Sequence, residues 1–207
     1  EMCKDEPFGI YELGNINDLE YIDEKNLYEY YKEVISSSPV DIFITAGMKE
    51  KEVYELVKQK ITINVTKPTV YPVNSIIKQV PENPKKVVEE LDVSQGKLSL
   101  GFRTKISPTD KEYYALMIYN GILGGGPHSK LFNNVREKLS LAYYVFSRLE
   151  RFKGLMIVSS GIEVDNYDKA YNEILLQMEE IKKGNITDYE YESAIKTMET
   201  GIKSLQD

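Results

Sequence analysis

The sequence predicts an α+β fold, in which an antiparallel sheet carries helices packed on one face. The segments AYYVFSRLERF and GLMIVSSGIEV flank a short Lys-Gly turn and alternate as the two strands of an antiparallel hairpin do. A further strand is predicted over residues 98–104. Helical stretches stand before, between and after these strands, and this mixture of helices and antiparallel strands is typical of α+β domains.

The N-terminal stretch predicts a helix–strand–helix unit. Asp23 is a suitable N-cap for a helix over 23–38, which Pro39 ends. The run VDIFITAG, residues 40–47, is rich in β-branched residues and predicts a buried strand. A second helix is predicted over 49–61, and the unit is too small for a core of its own. The apolar faces of the two helices comprise Leu27, Tyr30, Tyr31, Val34, Val53, Leu56, Val57 and Ile61.

Residues 63–86 predict a linker or an extended strap. Four prolines stand in this stretch and no apolar period is sustained through it. The chain is therefore expected to have three parts, which are residues 1–62, the linker 63–86, and residues 87–207.

The C-terminal part begins with a strand and two helices. A segment around 87–93 is a candidate pairing partner for strand 98–104. A helix over 110–123 ends at the glycines that follow it, and a second helix begins with Pro127 near its first position. The expected core-facing residues of these helices are Ala115, Ile118, Tyr119, Ile122, Leu131, Phe132, Val135 and Leu139.

Two long helices follow the hairpin. The first ends at Gly184, and the second opens with the capping box Thr187-x-x-Glu190. One side of the last helix is expected to face the core through Tyr191, Ala194, Ile195, Met198, Ile202 and Leu205.

Composition and charge exclude several classes of function. The 207 residues carry a net charge of −7, which argues against binding to nucleic acid. No apolar run approaches the ~20 residues that cross a bilayer, so no membrane association is expected. The single cysteine, Cys3, leaves no internal disulfide and favours a reducing, cytoplasmic location. The first residue is not Met and no signal pattern follows, which predicts a segment of a longer protein.

One histidine and one cysteine limit the catalytic chemistry. A zinc site needs at least three converging ligands, and neither H-x-x-E-H nor H-E-x-x-H occurs. His128 is the only base for a Ser-His-Asp triad, and no G-x-S-x-G elbow is present. We therefore predict no catalytic residue, no metal ligand and no cofactor in this segment. His128 is expected to be a local capping or surface residue.

The run GGGPHSK resembles a phosphate loop only superficially. A P-loop follows a strand and ends in Gly-Lys-Ser/Thr, whereas Gly124, Gly125 and Gly126 follow a helix and Pro127 removes one amide. A turn between two helices accounts for these glycines.

Arg136 and Tyr143 are the candidate binding residues of the segment FNNVREKLSLAYYV. The arginine lies near the apolar stripe of its helix, and the tyrosine starts the next strand, so a short loop would bring them to one end of the sheet. In one interpretation, Arg136 pairs with Glu137 or Glu112 and Tyr143 fills the core. In the other, the guanidinium and the phenol bind a backbone carbonyl of a peptide. The spacing does not separate these interpretations.

Two stretches of the chain resemble the second half of the insulinase/pitrilysin-like zinc peptidases, a family that includes the mitochondrial processing peptidase. These stretches are LGGGPHSKLFNNVREKLSLAYYVFS and the residues from GLMIVSSGIEV onward. The resemblance covers nearly the whole chain. It implies an α/β roll unit that is repeated and paired in the family. It also implies that Arg136 and Tyr143 match an Arg and a Tyr that face the substrate and help to stabilise the oxyanion. The glycines 124–126 match a Gly-rich loop that touches the substrate.

Three functions are compatible with this resemblance. Because SSSPVD and the preceding residues resemble a non-catalytic bacterial branch, we expect a peptide-binding, non-catalytic portion that acts with a catalytic homologous subunit, as a hetero- or homodimer. The second function is the C-terminal part of an active zinc endopeptidase whose H-x-x-E-H lies upstream. Zinc would then belong to the full protein or its partner. The third is a structural scaffold subunit.

Compared with the family, the predicted elements imply that the chain contains parts of two peptidase-like units. Residues 1–62 would be the end of the first unit, and residues 87–207 would be the larger part of the second. The helix–strand–helix unit could occupy the place of the missing end, which would make a circularly permuted single unit. Alternatively, two copies could exchange these pieces. A strand 40–47 outside the main sheet would exclude the permuted version.

Overall fold

The computed structural model describes residues 2–4, 6–62, 80 and 82–204. The chain divides into two compact units, Glu1–Asn74 and Ser75–Asp207. The boundary falls inside the predicted linker, most of which lies outside the described residues.

Both predicted helices of the first unit are confirmed. Asp23 caps α1, because its Oδ1 accepts hydrogen bonds from the backbone N–H groups of Lys25 at 2.9 Å and Asn26 at 2.8 Å. Asn26 Oδ1 accepts in return from the Asp23 backbone N–H at 3.1 Å, which completes a capping box. The elements of this unit are 3-10 turns at Pro7–Gly9 and Ile16–Tyr21, helix α1 (Glu24–Ser37) and helix α2 (Glu50–Lys60).

The predicted strand 40–47 is wrong. The segment has no regular secondary structure, and Phe43 is 92% exposed. A strand requires hydrogen bonds to a neighbouring strand, and the described residues contain three paired strands, all in the second unit. Helices α1 and α2 likewise have no buried residues, as expected of a unit too small for a core. Because a permuted unit requires 40–47 in the main sheet, the structure argues against that alternative.

The predicted hairpin is confirmed in the second unit. Its two strands pair antiparallel, with Glu150 opposite Leu155. A 3-10 turn over Arg151–Lys153 joins them and ends at Gly154, whose φ of +57° lies in the left-handed region that glycine tolerates. In the described residues the sheet order is β1-β3-β2, with β1 (Gly96–Arg103), β2 (Ala142–Glu150) and β3 (Leu155–Ile162).

The predicted strand 98–104 is confirmed, but its predicted pairing with 87–93 is wrong. β1 pairs instead with β3, with Leu98 opposite Ser160. Residues 87–93 have no regular secondary structure and remain exposed. β3 is mostly buried and apolar, which suits the centre of the sheet, and the outer edge of β1 has no strand partner among the described residues. VVEELDV carries three acidic residues, and Asp and Glu are poor strand formers.

In the part of the second unit that the structure describes, four helices accompany the sheet, as predicted, with one change of type. The second helix begins at Leu131 rather than near Pro127, which lies in a turn, and its turns are π-helical. Helix α3 ends at the glycine turn as predicted. The helices are α3 (Tyr113–Gly124), the π-helix (Leu131–Lys138), α4 (Tyr167–Lys182) and α5 (Asp188–Ser204), with a 3-10 turn at Val164–Asn166.

The core lies between one face of the sheet and these helices. Several predicted core positions are wrong because they are exposed, namely Ala115, Leu139, Tyr191 and Ile202. The π-helix has wider turns than an α-helix, so an α-helical stripe does not extend to Leu139. Leu205 lies outside the described residues. The most deeply buried side chains include Leu123, Leu131, Val135, Val158 and Ile174.

A buried ion pair ties the π-helix to α5. The predicted capping box of α5 is confirmed, because Thr187 N donates to Glu190 Oε2 at 2.8 Å and Glu190 N donates to Thr187 Oγ1 at 3.2 Å. Glu190 Oε1 also lies 3.0 Å from Lys130 Nζ, and the two side chains are only 11% and 9% exposed. One carboxylate therefore caps one helix and anchors the start of another.

Candidate functional site

The π-helix sets the position of Arg136. At its C-terminal end the backbone N–H of Leu139 donates to Asn134 O at 3.2 Å, and Ser140 follows with a φ of +49°. A non-glycine residue in the left-handed region is uncommon, and π-helical turns are frequent at functional sites. The sequence predicted an ordinary α-helix here, so this feature was missed.

Side-chain amides hold the π-helix in place. Asn134 Nδ2 donates both to the Lys130 carbonyl, at 3.0 Å, and to Gln177 Oε1 on α4, at 2.9 Å. Gln177 is buried, and its own amide donates to Glu173 at 2.7 Å. These bonds fix the helix that carries Arg136 against α4.

Arg136 lies against the first residues of β2. Its Nε donates to the Tyr143 carbonyl at 2.9 Å, and its Nη1 lies 3.1 Å from Glu137 Oε1. The guanidinium carbon lies 4.8 Å from the centre of the Phe132 ring, a cation–π geometry. The pairing with Glu137 is one that the sequence anticipated. The side chain is nevertheless 40% exposed, so the guanidinium remains accessible from solvent.

Tyr143 does not fill the core, because it is 57% exposed. Its hydroxyl donates to Glu163 Oε1 at 3.3 Å, and Asn166 Nδ2 donates to the other oxygen of that carboxylate at 3.3 Å. Arg136, Tyr143, Glu163 and Asn166 line a cleft of about 390 Å³. The structure therefore brings the two predicted residues into one cleft. The direct contact between them is the hydrogen bond from the Arg136 side chain to the backbone carbonyl of Tyr143.

Glu163 was missed by the sequence analysis, although a signal existed. The hairpin register places Ile162 opposite Ala142. The residue after Ile162 therefore lies beside the residues that precede and begin β2, and a carboxylate there can reach the phenol of Tyr143.

The glycine turn lies close to β2. A Cβ on Gly124 would lie 2.4 Å from Ser147 N and 2.6 Å from its Oγ, and a Cβ on Gly125 would lie 2.7 Å from Gly121 Cα. Glycine is thus required for the close approach of the chain, which agrees with a structural turn. Gly126 completes a separate hollow of about 360 Å³, which is lined by Gly124, Gly125, Gly126, Pro127, Phe132, Val145, Phe146 and Ser147.

The residues described do not offer a zinc site. His128 is buried rather than on the surface, and its ring packs beside Gly126, whose Cβ position is 3.2 Å from Cε1. In residues 2–4, 6–62, 80 and 82–204, no three His, Cys, Asp or Glu side chains come together in an arrangement that could hold a metal ion. Over the same residues, no helix has the length and apolar content needed to span a membrane.

The chain belongs to a peptidase family. Residues 21–198 match the family model described as "Peptidase M16 inactive domain", so the chain is a member of that family. The resemblance to zinc peptidases, including an inactive member, and the predicted α+β fold are thereby confirmed. The chain is thus an M16 inactive domain, a peptidase-like part of a protein.

Two curated relatives come from Bacillus subtilis (strain 168). The "Probable inactive metalloprotease YmfF" is 40% identical over 188 residues, which cover 91% of this chain and 44% of the relative. The "Uncharacterized zinc protease YmxG" is 27% identical over 119 residues, which cover 56% of this chain and 29% of the relative. The chain therefore spans less than half the length of these relatives.

Two solved structures share the fold. A conserved protein from Enterococcus faecalis V583 superposes with a TM-score of 0.82 at 32% identity, over 96% of this chain and 47% of that one. A peptidase M16 inactive domain from Pseudomonas fluorescens superposes with a TM-score of 0.69 at 21% identity, over 95% of this chain and 48% of that one.

Proposed function

We propose that this chain is a non-catalytic, peptide-binding portion of an M16-type protein that acts with a catalytic partner. The observation that carries the proposal is the cleft in which the exposed guanidinium of Arg136 and the exposed phenol of Tyr143 meet. Arg136 has guanidinium N–H donors beyond those directed at Tyr143 and Glu137, and the Tyr143 hydroxyl can turn its O–H from Glu163 to a bound peptide. A peptide backbone presents carbonyl acceptors for such donors at regular intervals.

The cleft has the groups that a peptide backbone needs. The guanidinium is a planar fork of donors suited to one or two carbonyl oxygens. The Glu163 carboxylate, which accepts from the Tyr143 hydroxyl at 3.3 Å, can also accept a backbone N–H of the peptide. If a catalytic subunit acted on the same carbonyl, the Arg136 guanidinium would donate to its oxygen, and the Tyr143 hydroxyl would do so once it turned from Glu163. Both would then stabilise the negative charge that develops on that oxygen.

The glycine turn extends this surface. Phe132 lines the hollow at Gly124–Gly126, and its ring lies 4.8 Å from the guanidinium carbon of Arg136, which lines the cleft, so a direct side-chain contact links the hollow to the cleft. We therefore keep Gly124, Gly125 and Gly126 in the proposed binding surface beside Arg136 and Tyr143. The proposed partner is a homologous peptidase subunit, in a hetero- or homodimer, in the cytoplasm.

The relatives support one alternative. Several are named zinc proteases, including YmxG. In this alternative the chain is the C-terminal part of an active endopeptidase and zinc lies in the other half. An H-x-x-E-H motif in the rest of the same polypeptide would favour this alternative over a separate catalytic subunit.

Arg136→Ala is expected to weaken peptide binding about tenfold, because the lost bonds are charge-assisted. The chain has no Trp, so an unstructured peptide with a single Trp reports its own binding by fluorescence anisotropy. Arg136→Lys keeps the charge but loses the fork, so we expect it to recover only part of the affinity. Arg151→Ala is the matched control, because Arg151 lies in the turn after β2 with its guanidinium over Phe152.

Two results would count against this function. Equal binding by the native chain, Arg136→Ala and Arg151→Ala would remove Arg136 from the site. If the native chain does not bind the peptide, although its circular dichroism spectrum shows that it is folded, the scaffold function would be favoured.

A further inference from the structure

One face of the sheet is buried and the other is exposed to solvent. Along β1, Leu98 is buried, whereas Lys97 and Ser99 on either side are exposed. Alternation of this kind places successive side chains on opposite faces. In the register of the sheet, Gly161 of β3 stands between Lys97 and Tyr144, and Ser159 stands between Ser99 and Phe146. Tyr144 and Phe146 of β2 therefore lie on the same exposed face as Lys97 and Ser99. We name this surface the open face.

The open face carries a preassembled aromatic pair. A Cβ on Gly161 would lie 2.4 Å from Tyr144 Cε1, so the tyrosine ring rests directly on the glycine backbone. The Phe146 ring stacks on Tyr144, with centroids 6.0 Å apart and planes inclined by 28°. The two residues remain 37% and 41% exposed. Because the rings are already ordered, a ligand that contacts them orders few further groups.

Basic side chains are prominent on the open face, although the chain as a whole has a net charge of −7. Lys97 and Arg148 are both exposed on it. Arg148 follows Phe146 on this face, and Glu150 comes next by the same alternation, with its Oε1 3.7 Å from Arg148 Nε in a loose contact. Only four arginines occur in this lysine-rich chain, and one of them stands beside the exposed aromatic pair.

We infer that the open face binds an extended acidic peptide segment, with an apolar side chain on Tyr144 and Phe146 and its carboxylates towards Lys97 and Arg148. This inference rests on the proposed function and adds the substrate class. Phe146 connects this face to the glycine turn of the proposed site, because it also lines the hollow there. Complementary charge steers and selects a partner, whereas the aromatic contact provides area.

The test compares two single-Trp peptides of the same length, one with Glu and one with Lys at each charged position. The native chain is expected to prefer the acidic peptide, and the preference is expected to shrink as salt is raised. Arg148→Glu should weaken acidic-peptide binding roughly three- to tenfold and strengthen basic-peptide binding. Phe146→Ala should weaken both peptides by a similar factor.

The controls are matched in residue type and exposure. Arg151→Glu makes the same change in net charge in the turn after β2, and Phe152→Ala removes an exposed phenylalanine from that turn. If both controls prefer the acidic peptide as the native chain does, while Arg148→Glu and Phe146→Ala show the expected changes, the results support binding at the open face.

The outcomes separate this inference from the proposed function. If Arg136→Ala weakens binding while Arg148→Glu and Phe146→Ala behave like their controls, the open face is not a binding surface and the proposed function stands. If the native chain binds neither peptide, both are overturned. Displacement of the acidic peptide by a single-stranded oligonucleotide at a lower concentration than by unlabelled peptide would also overturn the inference.

Discussion

Replacement of Glu190 by Ala is expected to destabilise the second unit by about 3 kcal/mol. The change leaves the buried Lys130 ammonium without the carboxylate that lies 3.0 Å from it, and an uncompensated buried charge is costly. It also removes the acceptor of the Thr187 backbone N–H at the start of α5. Urea unfolding followed by circular dichroism measures the loss as a lower midpoint.

Two variants show whether the lost pair causes the effect. Glu192→Ala changes an exposed carboxylate on the same helix, and we expect an effect within about 0.5 kcal/mol. The double variant Lys130→Met with Glu190→Leu removes both charges, and apolar replacements of buried ion pairs are often near neutral. The double variant should therefore be more stable than Glu190→Ala. If it is equally unstable, packing rather than the unpaired charge explains the loss.

Gly124→Ala is expected to cost about 2–3 kcal/mol. The new methyl group would lie 2.4 Å from the Ser147 backbone N and 3.0 Å from the Phe146 carbonyl carbon, so α3 must move away from β2. The same urea experiment measures this change. Ser147→Ala in addition should not restore stability, because it removes only the Oγ contact at 2.6 Å and leaves the backbone contacts.

Gly201 provides the control for this substitution. It lies in α5, has open space around its Cβ position, and is exposed. Gly201→Ala is expected to be neutral or to stabilise by up to about 1 kcal/mol, because alanine has the higher helix propensity. A comparable loss in both variants would show that a general loss of glycine flexibility, rather than the contact with β2, is responsible.

Most of the sequence predictions that the structure confirms depend on interactions between residues that are close in the sequence. Asp23 and the pair Thr187 and Glu190 cap their helices because capping is decided within four residues. The hairpin was predictable for the same reason, since its two strands are neighbours in sequence and alternate in polarity. The helix end at Gly124 also follows from residues close to it, because the run of glycines has a low helix propensity.

The wrong predictions concern secondary structure that depends on contacts between residues far apart in the sequence. Residues 40–47 have the composition of a strand but lack a partner in the described residues, and residues 87–93 do not extend the sheet at the outer edge of β1. Strand pairing depends on which edges meet in three dimensions, and composition does not report this. The π-helical turns around Arg136 belong to the same class, because an α-helical period and a π-helical period differ too little over eight residues to be separated by pattern.

The candidate site shows the same division. The sequence by itself determined the α+β class, the resemblance to the peptidase family, and the choice of Arg136 and Tyr143, since these follow from residue types and spacing. Only the tertiary structure decided that both are exposed on one cleft, that Glu163 joins them, and that Tyr144 and Phe146 form an aromatic pair on the open face. The physical reason is that capping and helix periodicity act over a few residues. Exposure, register and the meeting of side chains depend instead on how the strands and helices pack.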